Sequence, residues 1–134
     1  YSGSWGSGGD YSLANDLEDA HTVLDFILQS ESYGIDKSRV YAVGHSLGGF
    51  VCGQLTAARP EIRAAVLLMP CDIGRMPKIA QEDSVAFRAI RKELEESGGW
   101  LCGTSGEALW QEARARLTVA DEVAAFLQAE AAKR

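Results

Sequence analysis

Two rhythms of apolar residues alternate along the first half of the chain. Leu17, Ala20, Leu24, Ile27 and Leu28 recur three or four residues apart, which places them on one face of a helix. Asn15-Asp16-Leu17-Glu18 carries the capping-box pattern of an N-cap side chain followed by an acid three residues on, so a helix is predicted from about Ala14 to Ser32. Tyr33-Gly34-Ile35-Asp36 ends it, and Arg39 to Val43, β-branched and aromatic, is predicted to be a buried strand. Helical spacing returns from Leu47 through Phe50, Val51, Leu55 and Ala58 until Pro60, which has no N–H to donate and closes the helix. Arg63 to Met69 then predicts a second buried strand, stopped by Pro70.

Strand, helix and strand in this order form a βαβ unit, whose right-handed crossover makes the strands parallel and lays helices over the sheet. The predicted class is therefore α/β. Beyond Asp72 the pattern becomes wholly helical. Ser84 to Ser97 carries a charge on every turn, Thr104-Ser105-Gly106-Glu107 reads as a capping box ahead of Leu109 to Leu117, and Thr118 to Ala132 predicts one more helix. No strand candidate follows Met69, so the expected organisation is an α/β core segment over 1–75 and a helical cap-like segment over 76–134. The opening run Ser2 to Gly9 is rich in glycine and serine, but Tyr1, Trp5 and Tyr11 within and beside it are not residues of a purely flexible linker.

Composition narrows the classes of partner. The chain has 134 residues, 46% of them hydrophobic, enough apolar side chain for a core. Its net charge of -6, with basic residues scattered among acids, argues against nucleic acid as a partner. The longest apolar stretch, Ala64 to Pro70, falls far short of the ~20 residues of a membrane span. Cys52, Cys71 and Cys102 are odd in number and lack metal-ligand spacing, which favours reduced thiols in a cytoplasmic chain and no metal.

The chemistry concentrates where the first predicted strand meets the second helix. Gly44-His45-Ser46-Leu47-Gly48 is the pattern G-x-S-x-G, in which a sharp strand-to-helix turn raises a serine hydroxyl above the sheet. A nucleotide-binding turn is the competing reading, but Gly44 to Gly49 has neither G-x-G-x-x-G spacing nor the lysine of a P-loop. On the hydrolytic reading Ser46 is the nucleophile, and the Leu47 N–H at the positive end of the following helix is a donor to the oxyanion. Gly44, His45, Gly48 and Gly49 shape the turn.

Val43-Gly44-His45-Ser46-Leu47-Gly48-Gly49, preceded by Gly34-Ile35-Asp36-Lys37-Ser38-Arg39-Val40, resembles the α/β-hydrolase fold superfamily, in particular its prolyl-oligopeptidase-like, esterase and acyl-peptidase members, in which an Ile-Asp segment introduces the nucleophile strand. Tyr1-Ser2-Gly3-Ser4-Trp5-Gly6-Ser7-Gly8 looks like their Tyr-Arg-Gly-Ser loop, with Ser2 departing from the arginine, and Asp16 to Asp19 falls where they carry an acidic helix start. The likeness runs from Tyr1 to about Arg75. It implies a partial α/β-hydrolase fold and a serine hydrolase that cleaves an ester or peptide substrate through an acyl-enzyme, with no cofactor.

The resemblance also implies a triad in the order serine, acid, histidine. No histidine follows Ser46, and the two present are His21 and His45. Side chains of adjacent residues diverge at such a turn, which sets His45 aside as a base, and His21 reads as an ordinary helix histidine. Asp72, just after the second strand, is either an alternative triad acid or a carboxylate of the loop. A complete domain of this kind takes roughly 200 to 250 residues, so the expectation is an interior segment whose base and acid lie beyond Arg134 and whose second oxyanion donor precedes Tyr1. Two other readings stand beside it. One is a naturally short, non-catalytic binding or interaction module, and the other is an enzyme completed by a partner chain's histidine. Trp100, Leu101, Leu109 and Trp110 either line a substrate pocket or pin the cap helices to one another.

Overall fold

A computed structural model describes residues 1–116 together with Asp121, Ala124 and Gln128. Five helices and two strands follow one another in the described residues: α1 (Leu13–Gln29), β1 (Val40–His45), α2 (Leu47–Ala58), β2 (Ile62–Leu68), α3 (Arg75–Glu82), α4 (Ser84–Gly98) and α5 (Gly106–Arg114). Apart from Asp121, Ala124 and Gln128, the residues of the helix predicted over 118–132 lie outside the described ones. The described residues fall into two compact units, one holding Tyr1–Asp16 and residues 72–116, the other Leu17–Cys71 together with Asp121, Ala124 and Gln128.

The unit of Leu17–Cys71 is the predicted βαβ. β1 and β2 pair in parallel, with Val40 opposite Ile62, His45 opposite Leu68 and one irregularity after Val40. α2 packs on both strands, and its residues Gly49, Phe50, Val51 and Cys52 are buried. Phe50, 2% exposed, is the largest apolar side chain fully withdrawn from water, and burial of that kind stabilises by about 1.5–3 kcal/mol. The strands were expected to be buried, and here the structure differs. Tyr41, Val43 and Val66 are more than half exposed and Leu68 nearly so, alternating along each strand with better covered positions. Period-two geometry turns alternate side chains to opposite faces, and α2 covers one of them.

Arg59, just past α2, is held by carboxylates on both sides. Its Nη2 is 2.6 Å from Asp25 Oδ1 and 3.0 Å from Glu61 Oε1, and its Nη1 lies 3.4 Å from His21 Nδ1. Hydrogen bonds to Glu61 and then Asp25 push the guanidinium further up from its already high value, and the Arg59 partner holds Glu61 below the usual carboxylate range. The same clamp joins α1 to the end of α2. Ahead of β1, Asp36 accepts from the Ser38 N–H and hydroxyl and from Arg39 Nε, closing the turn that feeds the strand.

In the other unit the helix starts correct the sequence reading by a few residues. α1 begins at Leu13, because Ser12 Oγ accepts from the Asn15 N–H at 2.9 Å, while the Asn15 side chain donates back to the Asp10 carbonyl at 2.7 Å. α5 begins at Gly106 with Ser105, not Thr104, as its cap. α3 escaped the periodicity reading because it is only eight residues long and carries Pro77 in its first turn, a position where the missing N–H costs little. α3, α4 and α5 pack on one another. Phe87 meets Trp110 edge-on with ring centroids 5.8 Å apart, and Arg91 lies over the same Trp110 ring while pairing with Glu107 at 2.8 Å. Trp110 and the buried Leu109 therefore do the pinning that was one of the two readings, whereas Trp100 stands in solvent.

The glycine-rich opening is folded. The Gly3 N–H donates to the Gly8 carbonyl, the Cys102 N–H to the Gly3 carbonyl and the Tyr11 N–H to the Cys102 carbonyl, at 2.8–3.0 Å. At Gly3, with φ of 69°, any Cβ would collide with the Tyr11 backbone, which is why glycine is needed there. Tyr11 then leads into a buried polar contact: its hydroxyl donates to Asp16 Oδ2 at 2.9 Å, and Asp16 is 0% exposed. Burial, and then the neighbouring Asp16 carboxylate, push the Tyr11 phenol well above its ordinary value. No helix of the described residues is long and apolar enough to cross a membrane, and no group of three or more metal-ligating side chains occurs among them.

Candidate active site

The turn between β1 and α2 is assembled by backbone contacts before any side chain matters. β1 ends on His45, and the next residue, Ser46, takes φ 54° and ψ −119°. An L-residue other than glycine seldom adopts that conformation, and holding one there costs about 1–3 kcal/mol. The surroundings impose it. The Ser46 N–H donates to the Leu68 carbonyl at 3.0 Å, continuing the parallel ladder one residue past β1. The Ser46 carbonyl in turn accepts from the Gly49 and Phe50 N–H groups of α2 and from the Cys71 N–H beyond β2, at 2.9–3.1 Å. One residue thus ties together the ends of both strands and the first turn of the helix.

Two glycines make that closure possible. A Cβ on Gly44 would overlap the Gly48 carbonyl and sit 2.8 Å from Cys52 Cβ, so the strand and helix meet there only because Gly44 has no side chain. A Cβ on Gly49 would come within 2.9 Å of Pro70 Cα, so this glycine lets the segment after β2 close on the helix. The sequence reading had Gly44, His45, Gly48 and Gly49 shape the turn together. In the structure Gly48 supplies the carbonyl that Gly44 meets, and Gly49 has a separate contact with Pro70 that the spacing of G-x-S-x-G does not reveal.

Ser46 is exposed and occupies the N-cap position of α2, yet its hydroxyl caps nothing. Leu47 opens the helix, and a first-turn N–H has no acceptor within its own helix. The hydroxyl and this N–H therefore sit on consecutive residues at the positive end of a twelve-residue helix. Cys52, packed close to Gly44, is buried, and desolvation pushes its thiol up.

His45 precedes Ser46 at the end of β1 and is exposed. His21 is on α1 beside Arg59. Asp72 belongs to the other unit, half-buried, and its backbone carbonyl accepts from the Arg75 N–H at 3.1 Å in the turn that opens α3. What the fold gathers at one point is Gly44, Ser46, Leu47, Gly48 and Gly49, with Leu68, Pro70 and Cys71 closing the turn from the side of β2. Those last three were missed because their part is played by the backbone, and a strand followed by proline was the only sign of it in the sequence.

The family model described as the alpha/beta hydrolase family matches residues 1–133. No curated protein and no solved structure matches the chain.

Proposed function

This chain belongs to the alpha/beta hydrolase family, and from that premise we propose that it carries the nucleophile of a serine hydrolase acting on esters or amides. Ser46 Oγ attacks the substrate's carbonyl carbon, and its proton passes to a general base. The carbonyl oxygen, becoming negative, is met by the Leu47 N–H and the positive end of α2, and one donor of this kind is worth on the order of 10²–10³ in rate. Collapse of the tetrahedral intermediate expels the alcohol or amine with a proton from the same base and leaves the acyl group on Ser46. Water then attacks the acyl-enzyme, released carboxylate departs and Ser46 is restored. The chemistry calls for no cofactor. Neither His21 nor His45 is assigned as the base. That part is given to a histidine lying outside this sequence, after Ser46 in the full-length chain and partnered by an acid, with Asp72 as the alternative acid. On this reading, the helices after Asp72 serve as a cap of the prolyl-oligopeptidase-like or esterase type.

The observation that carries the reading is the state of Ser46: an exposed hydroxyl at a helix start, in a backbone conformation normally left to glycine, not spent on capping. The test is covalent labelling of the full-length protein with a fluorophosphonate. The expected result is a single adduct on Ser46 that vanishes in Ser46→Ala, together with loss of ester hydrolysis. Undiminished hydrolysis by Ser46→Ala would falsify the assignment.

A further inference from the structure

We propose that Met69 is a substrate-contacting residue that gives the Ser46 site a preference for apolar groups next to the scissile bond. The inference rests on the reading of Ser46 as nucleophile and adds the class of substrate to it.

Three observations converge on Met69. The first is place. His45 pairs with Leu68 at the ends of the two parallel strands, so the next residue on each is Ser46 and Met69. The Ser46 N–H donates to the Leu68 carbonyl and the Cys71 N–H to the Ser46 carbonyl, so the chain on either side of Met69 is hydrogen-bonded to Ser46 itself. Carboxyl ends of strands are where open α/β sheets bind their ligands.

The second is backbone conformation. Among the described residues only Trp5, Ser46 and Met69 hold positive φ without being glycine, at 51°, 54° and 44°. Two of the three stand side by side on adjacent strand ends. Glycine would occupy the position of Met69 without strain, whereas methionine is strained there. The third is exposure. Met69 is 83% exposed, so its side chain does not offset that strain by packing. The sequence pattern had placed it at the end of a buried strand, and the folded chain instead turns it out beside the nucleophile. A thioether on three rotatable bonds adapts to irregular aliphatic and aromatic shapes, which suits an apolar acyl or leaving group.

The full-length protein tests this with p-nitrophenyl esters from acetate to octanoate, using wild type, Met69→Ala and Met69→Gly, each first checked for fluorophosphonate labelling at Ser46. The expected result is that both variants still label, retain acetate hydrolysis within about twofold and lose roughly tenfold in kcat/KM on the octanoate ester, the size of change that pocket contacts of this kind supply. Met69→Gly separates contact from strain: it should match Met69→Ala in selectivity while melting at the higher temperature. Variants that label normally and keep the wild-type ratio of octanoate to acetate rates overturn the role of Met69 and leave Ser46 untouched. A wild-type protein that does not label at Ser46 overturns both.

Discussion

Ser46 and Ser105 occupy the same formal position, the residue before the first turn of a helix, and do opposite things with it. Ser105 has extended backbone, φ −147° and ψ 162°, and its hydroxyl accepts from the Ala108 N–H at 3.2 Å. That is how a serine ordinarily stabilises a helix start. Ser46, at φ 54° and ψ −119°, makes no such bond, and α2 begins without a side-chain cap. Local stability favours the arrangement at Ser105, and the arrangement at Ser46 gives it up twice, in strain and in a lost cap. What holds Ser46 is the set of long-range backbone bonds from Leu68 and Cys71 and the close approach of Gly44 to Gly48. On the function proposed above, a serine kept by its surroundings in a conformation it does not prefer, with its hydroxyl unused for capping, is placed for chemistry rather than for folding.

The contrast can be broken most sharply by removing each hydroxyl. Ser46→Ala is expected to lower hydrolysis by on the order of 10⁴-fold or more with little change in thermal stability, measured as steady-state rate and melting temperature on the same preparation. Next in size is Gly44→Ala, whose new Cβ has no room; a destabilisation of more than about 4 kcal/mol, or failure to fold, is expected in chemical denaturation. A well-folded Gly44→Ala would mean that the turn is looser than described. Tyr11→Phe probes the unit that contains Ser105, by taking a donor from the buried Asp16, and is expected to cost about 1–3 kcal/mol. The wild-type contact also carries a pH signature. Because the folded phenol lies above its ordinary value, its stabilisation is complete below about pH 10 and is lost as pH rises through the folded value. Tyr11→Phe should flatten that alkaline decline, and an unchanged decline would exclude Tyr11 as its source. Smallest is Ser105→Ala, expected to cost about 1 kcal/mol of stability and nothing in labelling at Ser46. Its counterpart, Ser46→Gly, should be more stable than Ser46→Ala, since only the glycine relieves positive φ; equal stability of the two would remove strain from the account.

Much of this was legible in the residues. Alternation of β-branched and helical runs located β1, α2 and β2 within a residue or two, and G-x-S-x-G located the turn between them. Helix starts were legible in kind but not in register, because serines and asparagines stand close together at both: Asn15 looked like a cap and instead braces Asp10, and Thr104 yielded to its neighbour Ser105. The short α3 has too few turns to show a period. Burial of the strands was misread because an unbroken apolar run does not tell whether one face or two will be covered, and Tyr41, Val43 and Val66 are exposed on the face away from α2. Met69 was beyond reach for a different reason. Nothing in a local sequence marks a methionine as having positive φ, since that conformation comes from hydrogen bonds to Ser46, more than twenty residues earlier.

The collision waiting at Gly44 separates two kinds of information that the five-residue motif carries as one. Gly44 answers to the crossing of strand and helix, and it would be required even if no bond were ever cleaved. On the proposed function, the Ser46 hydroxyl answers to the reaction alone. Under drift without selection for catalysis, the hydroxyl would be free to go while the glycine stayed, so a descendant reading G-x-A-x-G would mark a scaffold that has outlived its chemistry. The glycine testifies to ancestry, and the serine to employment.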